Sequence, residues 1–468
     1  MSIIDVPIED VENFRNELAS IDRDGSRKWI YARKPSGSLY NVRTLVAIVL
    51  LIFLFAGPHI YVNGHPFMLL NLPERLFIVF GIPFMPHDFH LVVLLALISI
   101  VSVALFTAIA GRIWCGWMCP QTIFMEMIFR RLEWLIEGSP KEQALLNAGP
   151  WTKKKIAKKL TKHILFFGIS FAIANTFLAY IIGRDALISI QLDDPMNHLA
   201  GLGMISTFSF VFYAVFARFR EQACLIACPY GRYQSVLVDK NTAAVTYDFM
   251  RGEPRKKQKN ASMDAKKGDC IDCHQCVVVC PTGIDIRNGI QLECVNCTAC
   301  IDACNHVMKK IQKPKGLIRY TSWEAVKTGT SNVFSTRVIS YAIVWLVLLC
   351  VVLYMFSNKT ETETLILRQP GTTFFKQGND AIGNFYTMMI TNKAFGDRDV
   401  SIRILSPSYA SMKALGSFTP IKEFATIESR LLVSMPKEKA KSGKNTIRFG
   451  LYSQGYLLET VETAFIAP

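Results

Sequence analysis

The chain has 468 residues, of which 51% are hydrophobic, a share that is high for a soluble protein and indicates membrane spans. Its net charge of +15 does not indicate a nucleic-acid partner, because the Lys and Arg runs flank hydrophobic stretches, where such residues set membrane topology. Twelve of the thirteen cysteines fall in three tight groups, and the last 118 residues contain none. This clustering excludes a secreted disulfide framework and favours metal ligation on the reducing side of a membrane.

Five stretches are long and apolar enough to cross a lipid bilayer, which takes about 20 residues. None of them contains Asp, Glu, Lys or Arg, and the first lies too far from the N-terminus to be a cleaved signal peptide. The predicted spans are residues 44–62, 91–110, 164–182, 199–217 and 338–356. The first four would form a membrane domain over residues 44–217.

The basic residues are unevenly distributed between the loops. Ten lie between the second and third spans, whereas the first-to-second and third-to-fourth loops offer only Arg75 and Arg184. Cytoplasmic loops of membrane proteins carry the excess of Lys and Arg. We therefore expect a multi-pass protein of the bacterial inner membrane, with residues 1–43 and 218–337 in the cytoplasm and residues 361–468 in the periplasm.

The last 108 residues contain short runs rich in β-branched and aromatic residues, separated by clusters of Gly, Pro, Asn and Lys. Short strands over about 100 residues predict an Ig-like β-sandwich. No cluster of metal ligands or nucleophiles occurs in this sequence, so an interaction module is the default interpretation. The predicted strands are residues 384–391, 400–405, 429–434, 445–452 and 457–466.

The segment 218–337 contains two cysteine runs with the spacing C-x2-C-x2-C-x3-C. The first run is Cys270, Cys273, Cys276 and Cys280, followed by Pro281, and the second is Cys294, Cys297, Cys300 and Cys304, followed by Asn305. Three cysteines at two-residue gaps can bind three irons of a cubane from one loop, and the fourth iron needs a ligand from elsewhere. Zinc usually takes two C-x2-C pairs with a longer gap between them, so the spacing favours 4Fe–4S clusters.

In two-cluster ferredoxins the fourth cysteine of each run ligates the other cluster. The segment is therefore predicted to be a bacterial-type ferredoxin with two 4Fe–4S clusters. One cluster would be held by Cys270, Cys273, Cys276 and Cys304, and the other by Cys294, Cys297, Cys300 and Cys280.

Two further cysteine pairs have the pattern C-x3-C-P at matching ends of the first two helical hairpins. They are Cys115 with Cys119 and Cys224 with Cys228. Residues four apart share one face of a helix, and the proline after each pair would end or kink that helix. The thiolates could bind a soft ion such as Cu(I), help to hold a cluster or form a disulfide, or they could be small buried residues. We hypothesise that all four form one catalytic copper site at the cytoplasmic membrane face.

Five of the eight histidines lie at the predicted outer ends of the spans: His59, His65, His87, His90 and His198. Methionines are nearby, so a copper, haem or quinol site is one interpretation. The other interpretation is that these histidines are ordinary polar residues at the boundary between membrane and water.

The chain resembles the CcoG (FixG, RdxA) family over nearly its whole length after about residue 25. The resemblance rests on the five spans, the double ferredoxin run, the outer β-sandwich, and the motifs Trp-Cys-Gly-Trp-Met-Cys-Pro-Gln-Thr at 114–122 and Ala-Cys-Leu-Ile-Ala-Cys-Pro-Tyr-Gly-Arg-Tyr-Gln at 223–234. NapH-like and NosR-like membrane polyferredoxins share the two C-x3-C-P motifs, but the final Thr-Ala-Phe-Ile-Ala-Pro looks like CcoG.

The resemblance implies a role in the assembly of cbb3-type cytochrome c oxidase, with reduction of Cu(II) to Cu(I) as the reaction. It implies oxidase assembly factors or a copper transporter as partners and leaves the electron donor open. Two functions of other classes remain: a quinol-linked electron donor to a periplasmic reductase, as in the NapH-like and NosR-like relatives, and a non-enzymatic assembly scaffold.

Overall fold

The computed structural model describes residues 19–21, 24, 26–72, 75–255, 268–371, 373–377, 380–416 and 419–468, without the side chains of His87 and Ser235. The chain forms two compact units. The first comprises residues 1–61 and 96–349, and the second comprises residues 62–95 and 350–468.

Five helices in the described part of the chain are long and apolar enough to cross a membrane, judged by length and composition. The predicted spans are therefore confirmed as apolar helices. They are Ser38–His59, Phe89–Ala110, Lys153–Ile182, Leu199–Phe219 and Thr336–Ser357.

The first and third of these helices differ most from the predicted spans. The α-helical part of the first ends at Ala56, because Pro58 cannot continue an α-helix. The third begins at Lys153 instead of residue 164, because the Thr152 hydroxyl accepts a hydrogen bond of 3.2 Å from the Lys155 amide and caps the helix there.

The first unit also contains shorter helical segments, one of which, Val215–Phe219, forms the end of the fourth apolar helix. Three of these segments are π-helical, a rare geometry that often marks functional sites: Phe124–Phe129, Val215–Phe219 and Ala223–Ala227. The α-helical segments are Ile113–Trp117, Pro120–Ile123, Arg130–Ile136, Pro140–Ala148, Arg184–Leu192 and Pro229–Leu237.

The ferredoxin segment is held together by a two-stranded antiparallel sheet and short helices. The strands are Ala244–Tyr247 and Ile318–Thr321, with Ala244 opposite Thr321. Buried Val245, Tyr247, Ile286, Met308 and Leu317 form its core. The helices are Phe249–Gly252, Gln275–Val278, Ala299–Lys310 and Trp323–Thr328.

The C-terminal part of the second unit is a β-sandwich of Ig-like type. One sheet contains Ser411–Leu415, Thr426–Pro436, Ala381–Asn392 and Thr362–Arg368 in that order, with Phe375–Gln377 beside Ala381–Asn392. The other contains Ser401–Ser406, Gly443–Ser453 and Tyr456–Ala467. Tyr386, Leu431, Phe449 and Phe465 are fully buried between the sheets.

All five predicted strands occur, but Thr362–Arg368, Phe375–Gln377 and Ser411–Leu415 were missed. Ser411–Leu415 lies at a sheet edge with exposed and half-buried residues, so it lacks the apolar run that marks a buried strand.

The loop between the first two apolar helices belongs to the second unit and contains a sheet that the sequence did not predict. Its strands are Met68–Asn71, Leu76–Val79 and Ile82–Phe84. The buried Asp88 carboxylate accepts a hydrogen bond of 2.8 Å from Nζ of Lys393 in the sandwich domain. The loop and the sandwich domain are therefore packed together.

Candidate metal centres

Two cavities in the ferredoxin segment are lined by cysteines drawn from both runs. Cavity 1 is lined by Cys270, Cys273, Cys276 and Cys304. Cavity 2 is lined by Cys280, Cys294, Cys297 and Cys300, with Cys276 also in its wall. The structure thus brings the eight cysteines together in the two sets expected from the crossed ferredoxin pattern, and their ligation of iron stays a prediction.

The backbone takes the same unusual path through both runs. Asp272 and His274 in the first run have φ values of 55° and 54°, and Asn296 and Thr298 in the second have 53° and 62°. Non-glycine residues rarely adopt this left-handed conformation. It occurs on both sides of the second cysteine of each run, where it turns successive thiols toward one cavity. Three of the four are Asp, His or Asn, the non-glycine residues that adopt this conformation most often, so the sequence carries a weak local signal for these turns.

The cysteines fit resident 4Fe–4S clusters. Burial raises the pKa of Cys276 and Cys304 at cavity 1 to about 12, that of Cys294 at cavity 2 to about 12, and that of Cys297 to about 11. Unliganded thiols here are therefore protonated at neutral pH, and iron must displace those protons when it binds. Four thiols per cavity match the four irons of a cubane.

Each C-x3-C-P pair lies across a break between two helices, so the expectation of one shared helix face is wrong. Cys119 and Cys228 are extended, with ψ of 124° and 114°, because the proline after each opens a new helix instead of continuing the old one. Cys115 lies in Ile113–Trp117, and Cys224 in π-helical Ala223–Ala227.

The four thiols of the two pairs, called the thiol site below, are electrostatic neighbours. Burial raises the pKa of Cys224 to about 12, and the charges of Cys119, Cys115 and Cys228 act in the same direction. Burial also raises the pKa of Cys115, again with contributions from Cys119 and Cys228. Two motifs separated by more than 100 residues therefore meet at one place.

No group of three or more His, Cys, Asp or Glu side chains in the described ranges is close enough to hold a single metal ion. This is understandable at the cavities, where the thiols line the walls of a space and do not converge on one point. At the thiol site it means that a copper ion held by three or more of the thiols would require the side chains to rotate toward one another.

The thiol site adjoins cavity 2. A Cβ atom on Gly116 would lie 2.3 Å from the Val295 carbonyl oxygen and 3.0 Å from Cα of Cys297, so only glycine permits this approach. Cys115 packs against the same apolar cluster that contains Val295 and Cys297. The buried Arg43 guanidinium donates a hydrogen bond of 2.7 Å to the Gly116 carbonyl and fixes the motif there.

A buried ion-pair network lies close to these elements and was missed by the sequence analysis. Nη1 and Nη2 of Arg220 donate to Oε1 and Oε2 of Glu133 at 2.8 and 2.9 Å, and Nζ of Lys162 lies 3.3 Å from Oε1 of Glu133. Burial raises the pKa of Glu133, but Arg220, Lys162 and Arg130 lower it by more, so its pKa falls below the ordinary value. Arg130 and Lys162 are two of the ten basic residues between the second and third predicted spans, where the sequence indicates only their effect on membrane topology.

The predicted outer histidines do not form a common centre in the part of the chain that the structure describes. The His65 ring stacks on Phe395 at 4.1 Å between centroids, and Nε2 of His198 lies 3.0 Å from a carboxylate oxygen of Asp193. The His87 side chain lies outside the described residues.

Three family profiles match the chain. They are a 4Fe-4S binding domain at residues 90–140, a 4Fe-4S dicluster domain at 219–323, and an IG-like fold at the C-terminal of FixG at 352–468. The chain is 31% identical to the nitrogen fixation protein FixG of Rhizobium meliloti over 84% of this chain and 82% of that protein. The chain belongs to the FixG/RdxA family.

Other FixG-related proteins are similar as well. Protein RdxA of Cereibacter sphaeroides is 31% identical over 87% of this chain and 89% of its own length. A solved FixG-related protein from Vibrio parahaemolyticus is 17% identical and covers 23% of this chain and 97% of its own chain, at a TM-score of 0.20. Family membership, the 4Fe–4S domains and the five apolar helices make the protein a membrane iron–sulfur electron-transfer protein.

Proposed function

We propose that this FixG/RdxA-family protein reduces Cu(II) to Cu(I) at the thiol site, with electrons drawn from cavity 2. The observation that carries the proposal is the packing of Cys115 against the wall of cavity 2, next to Cys297. The site of copper binding and the source of the electron are then in contact. The resemblance to CcoG adds the purpose, which is delivery of Cu(I) for assembly of cbb3-type cytochrome c oxidase by way of assembly factors or a copper transporter.

The exposure of the cysteines supports a direction for the electrons. Cys273 of cavity 1 is the exposed thiol among the eight cluster cysteines, so an electron donor can approach there. Cys276 lies in the walls of both cavities and joins cavity 1 to cavity 2. When bound, a 4Fe–4S cluster supplies one electron at a time. The route runs from Cys273 through Cys276 to Cys297 and ends at Cys115.

The thiol chemistry favours the product of this reaction. Soft thiolate ligands select Cu(I), so a site that holds the product more tightly than the substrate makes reduction more favourable. Each Cu(II) takes up one electron and becomes Cu(I), and the thiols that bind the ion as thiolates release their protons to the solvent.

Replacing the thiol-site cysteines tests the proposal. We expect Cys→Ser at positions 115, 119, 224 and 228 to abolish Cu(II) reduction while the iron content stays at the wild-type level, because these residues lie outside both cavities. The assay mixes anaerobically reduced, desalted protein with Cu(II) and records Cu(I) with a chromophoric chelator. Cys350→Ser, an exposed cysteine on the fifth apolar helix, is the matched control. Cu(II) reduction at the wild-type rate by the serine variants would refute the copper assignment.

We also propose that the N-terminus and the ferredoxin segment are cytoplasmic and that the C-terminal domain is periplasmic in the bacterial inner membrane. The Lys and Arg asymmetry supports this topology. The contact between Asp88 and Lys393 supports it too, because it puts the first loop on the same side as the sandwich domain.

A C-terminal fusion to alkaline phosphatase, which folds to an active form only in the periplasm, checks the topology. We expect an active fusion. An active cytoplasmic reporter at the same position, at normal expression, would show that the topology is inverted.

A further inference from the structure

Gln234 lies five residues after Pro229, the end of the second C-x3-C-P motif, and has no role in the proposal above. It lies on the helix Pro229–Leu237 and is 1% exposed. It reaches from the second hairpin to the first, where it lies between Arg112 and Cys115. A buried amide that connects two motifs at a metal site has a definite hydrogen-bonding task.

Arg112 fixes which end of the amide faces the thiol. The Arg112 guanidinium has only donors, so the Gln234 oxygen must accept from its Nε. Nε2 of Gln234 then points to Sγ of Cys115 at 3.2 Å and donates to it. Arg112 is itself held, because its Nη2 donates a hydrogen bond of 2.9 Å to the Gly231 carbonyl.

The close approach of the second motif secures the same arrangement. A Cβ atom on Gly231 would lie 2.5 Å from the Cys224 carbonyl oxygen and 3.2 Å from Nη2 of Arg112. Glycine at this position therefore lets Arg112 reach the Gly231 carbonyl beside the second pair of thiols. The Arg112–Gln234 bridge thus connects the two hairpins that bring the four cysteines together.

We propose that Gln234 is a positioning residue that tunes the thiol site toward Cu(I) by donating a hydrogen bond to the Cys115 sulfur. This inference rests on the proposed function. A sulfur bound to Cu(I) keeps more negative charge than one bound to Cu(II), so a fixed N–H donor stabilises the Cu(I) form more. Hydrogen bonds to a ligating sulfur are a known determinant of copper-site potentials, and loss of such outer partners weakens metal binding by about 10- to 100-fold.

Two substitutions of similar size separate this role from packing. Gln234→Glu keeps an oxygen that can accept from Arg112 but has no N–H to donate. Gln234→Met also has no N–H to donate, and it lacks the negative charge of the Glu variant. We expect both variants to bind Cu(I) at least about tenfold more weakly than wild type. Their iron content should stay at the wild-type level if the clusters are intact, and the melting temperature should fall less in Gln234→Glu, which keeps an acceptor for Arg112, than in Gln234→Met, which does not.

The experiment titrates the full-length protein, with its clusters loaded, against Cu(I) buffered by a chromophoric chelator under anaerobic conditions. Wild-type affinity in both variants, or tighter binding in Gln234→Glu through its added charge, would overturn the role of the donor and leave the proposed function standing. Absence of Cu(I) binding by the wild-type protein would instead overturn the proposed function, and this inference with it. Unchanged iron content with weaker Cu(I) binding in both variants is the result that supports Gln234.

Discussion

Replacing Glu133 by Ala is expected to destabilise the protein by about 3–5 kcal/mol, because removal of one partner of a buried ion pair leaves the other charge poorly compensated, here by Glu221 at 3.6 Å from Arg220. Glu133 is 3% exposed and accepts two hydrogen bonds from Arg220, which is also 3% exposed. Loss of the carboxylate would leave Arg220 with no bidentate partner and Lys162 with one carboxylate fewer. A large fall in melting temperature in detergent is the measurement.

The control and a double variant define the cause. Glu324→Ala removes a carboxylate that lies 3.7 Å from Lys240 at the surface, and it should cost on the order of 0–1 kcal/mol. The double variant Glu133→Ala with Arg220→Ala should cost less than the sum of the single changes, because the two residues interact directly. A Glu133→Ala protein as stable as Glu324→Ala would show that the network contributes little.

Pairs of cysteine substitutions are expected to remove either one cluster or both, according to the cavity that each residue lines. The wild type should contain about eight irons per chain, four for each cluster. Cys280→Ser combined with Cys297→Ser affects only cavity 2 and should leave about four irons. Cys280→Ser combined with Cys270→Ser affects both cavities and should leave almost none.

These two double variants distinguish the crossed pattern from a sequential one. If each run of four cysteines held its own cluster, the outcomes would be reversed, with almost no iron in the first variant and about four in the second. Iron and sulfide analysis after anaerobic reconstitution, with Cys350→Ser as the control, is the measurement. About twelve irons in the wild type would show that the thiol site holds a third cluster in place of copper.

Much of the site could be predicted from the sequence because its cysteines have diagnostic spacings. The runs beginning at Cys270 and Cys294 follow a pattern in which the fourth cysteine belongs to the other cluster, and the cavities group the thiols in that way. The apolar helices were equally predictable from the sequence, since span length and composition are local properties. The ends of these helices were less predictable, because Thr152 caps the third helix early and Pro58 ends the α-helical part of the first.

The features that were missed depend on contacts between distant parts of the chain. Nothing near Gly116 in the sequence shows that its backbone must approach Val295, and nothing near Gln234 shows that it meets Cys115. Arg130 and Lys162 follow the charge rule for cytoplasmic loops, and nothing in that rule indicates that they are buried beside carboxylates. The left-handed turns at Asp272 and Asn296 have only a weak local signal, because Asp and Asn adopt this conformation more often than other non-glycine residues but are common elsewhere too.

Anaerobic electron counting tests the central claim most directly. Protein with both clusters reduced and excess reductant removed is titrated with Cu(II), while cluster oxidation and Cu(I) formation are followed in the same cuvette. We expect about two Cu(I) per chain, one for each one-electron cluster, with both clusters oxidised at the end point. The variant with serine at Cys115, Cys119, Cys224 and Cys228 should keep its clusters reduced and form no Cu(I). Clusters that stay reduced in the wild type, or that lose electrons equally fast in the serine variant, would contradict the account.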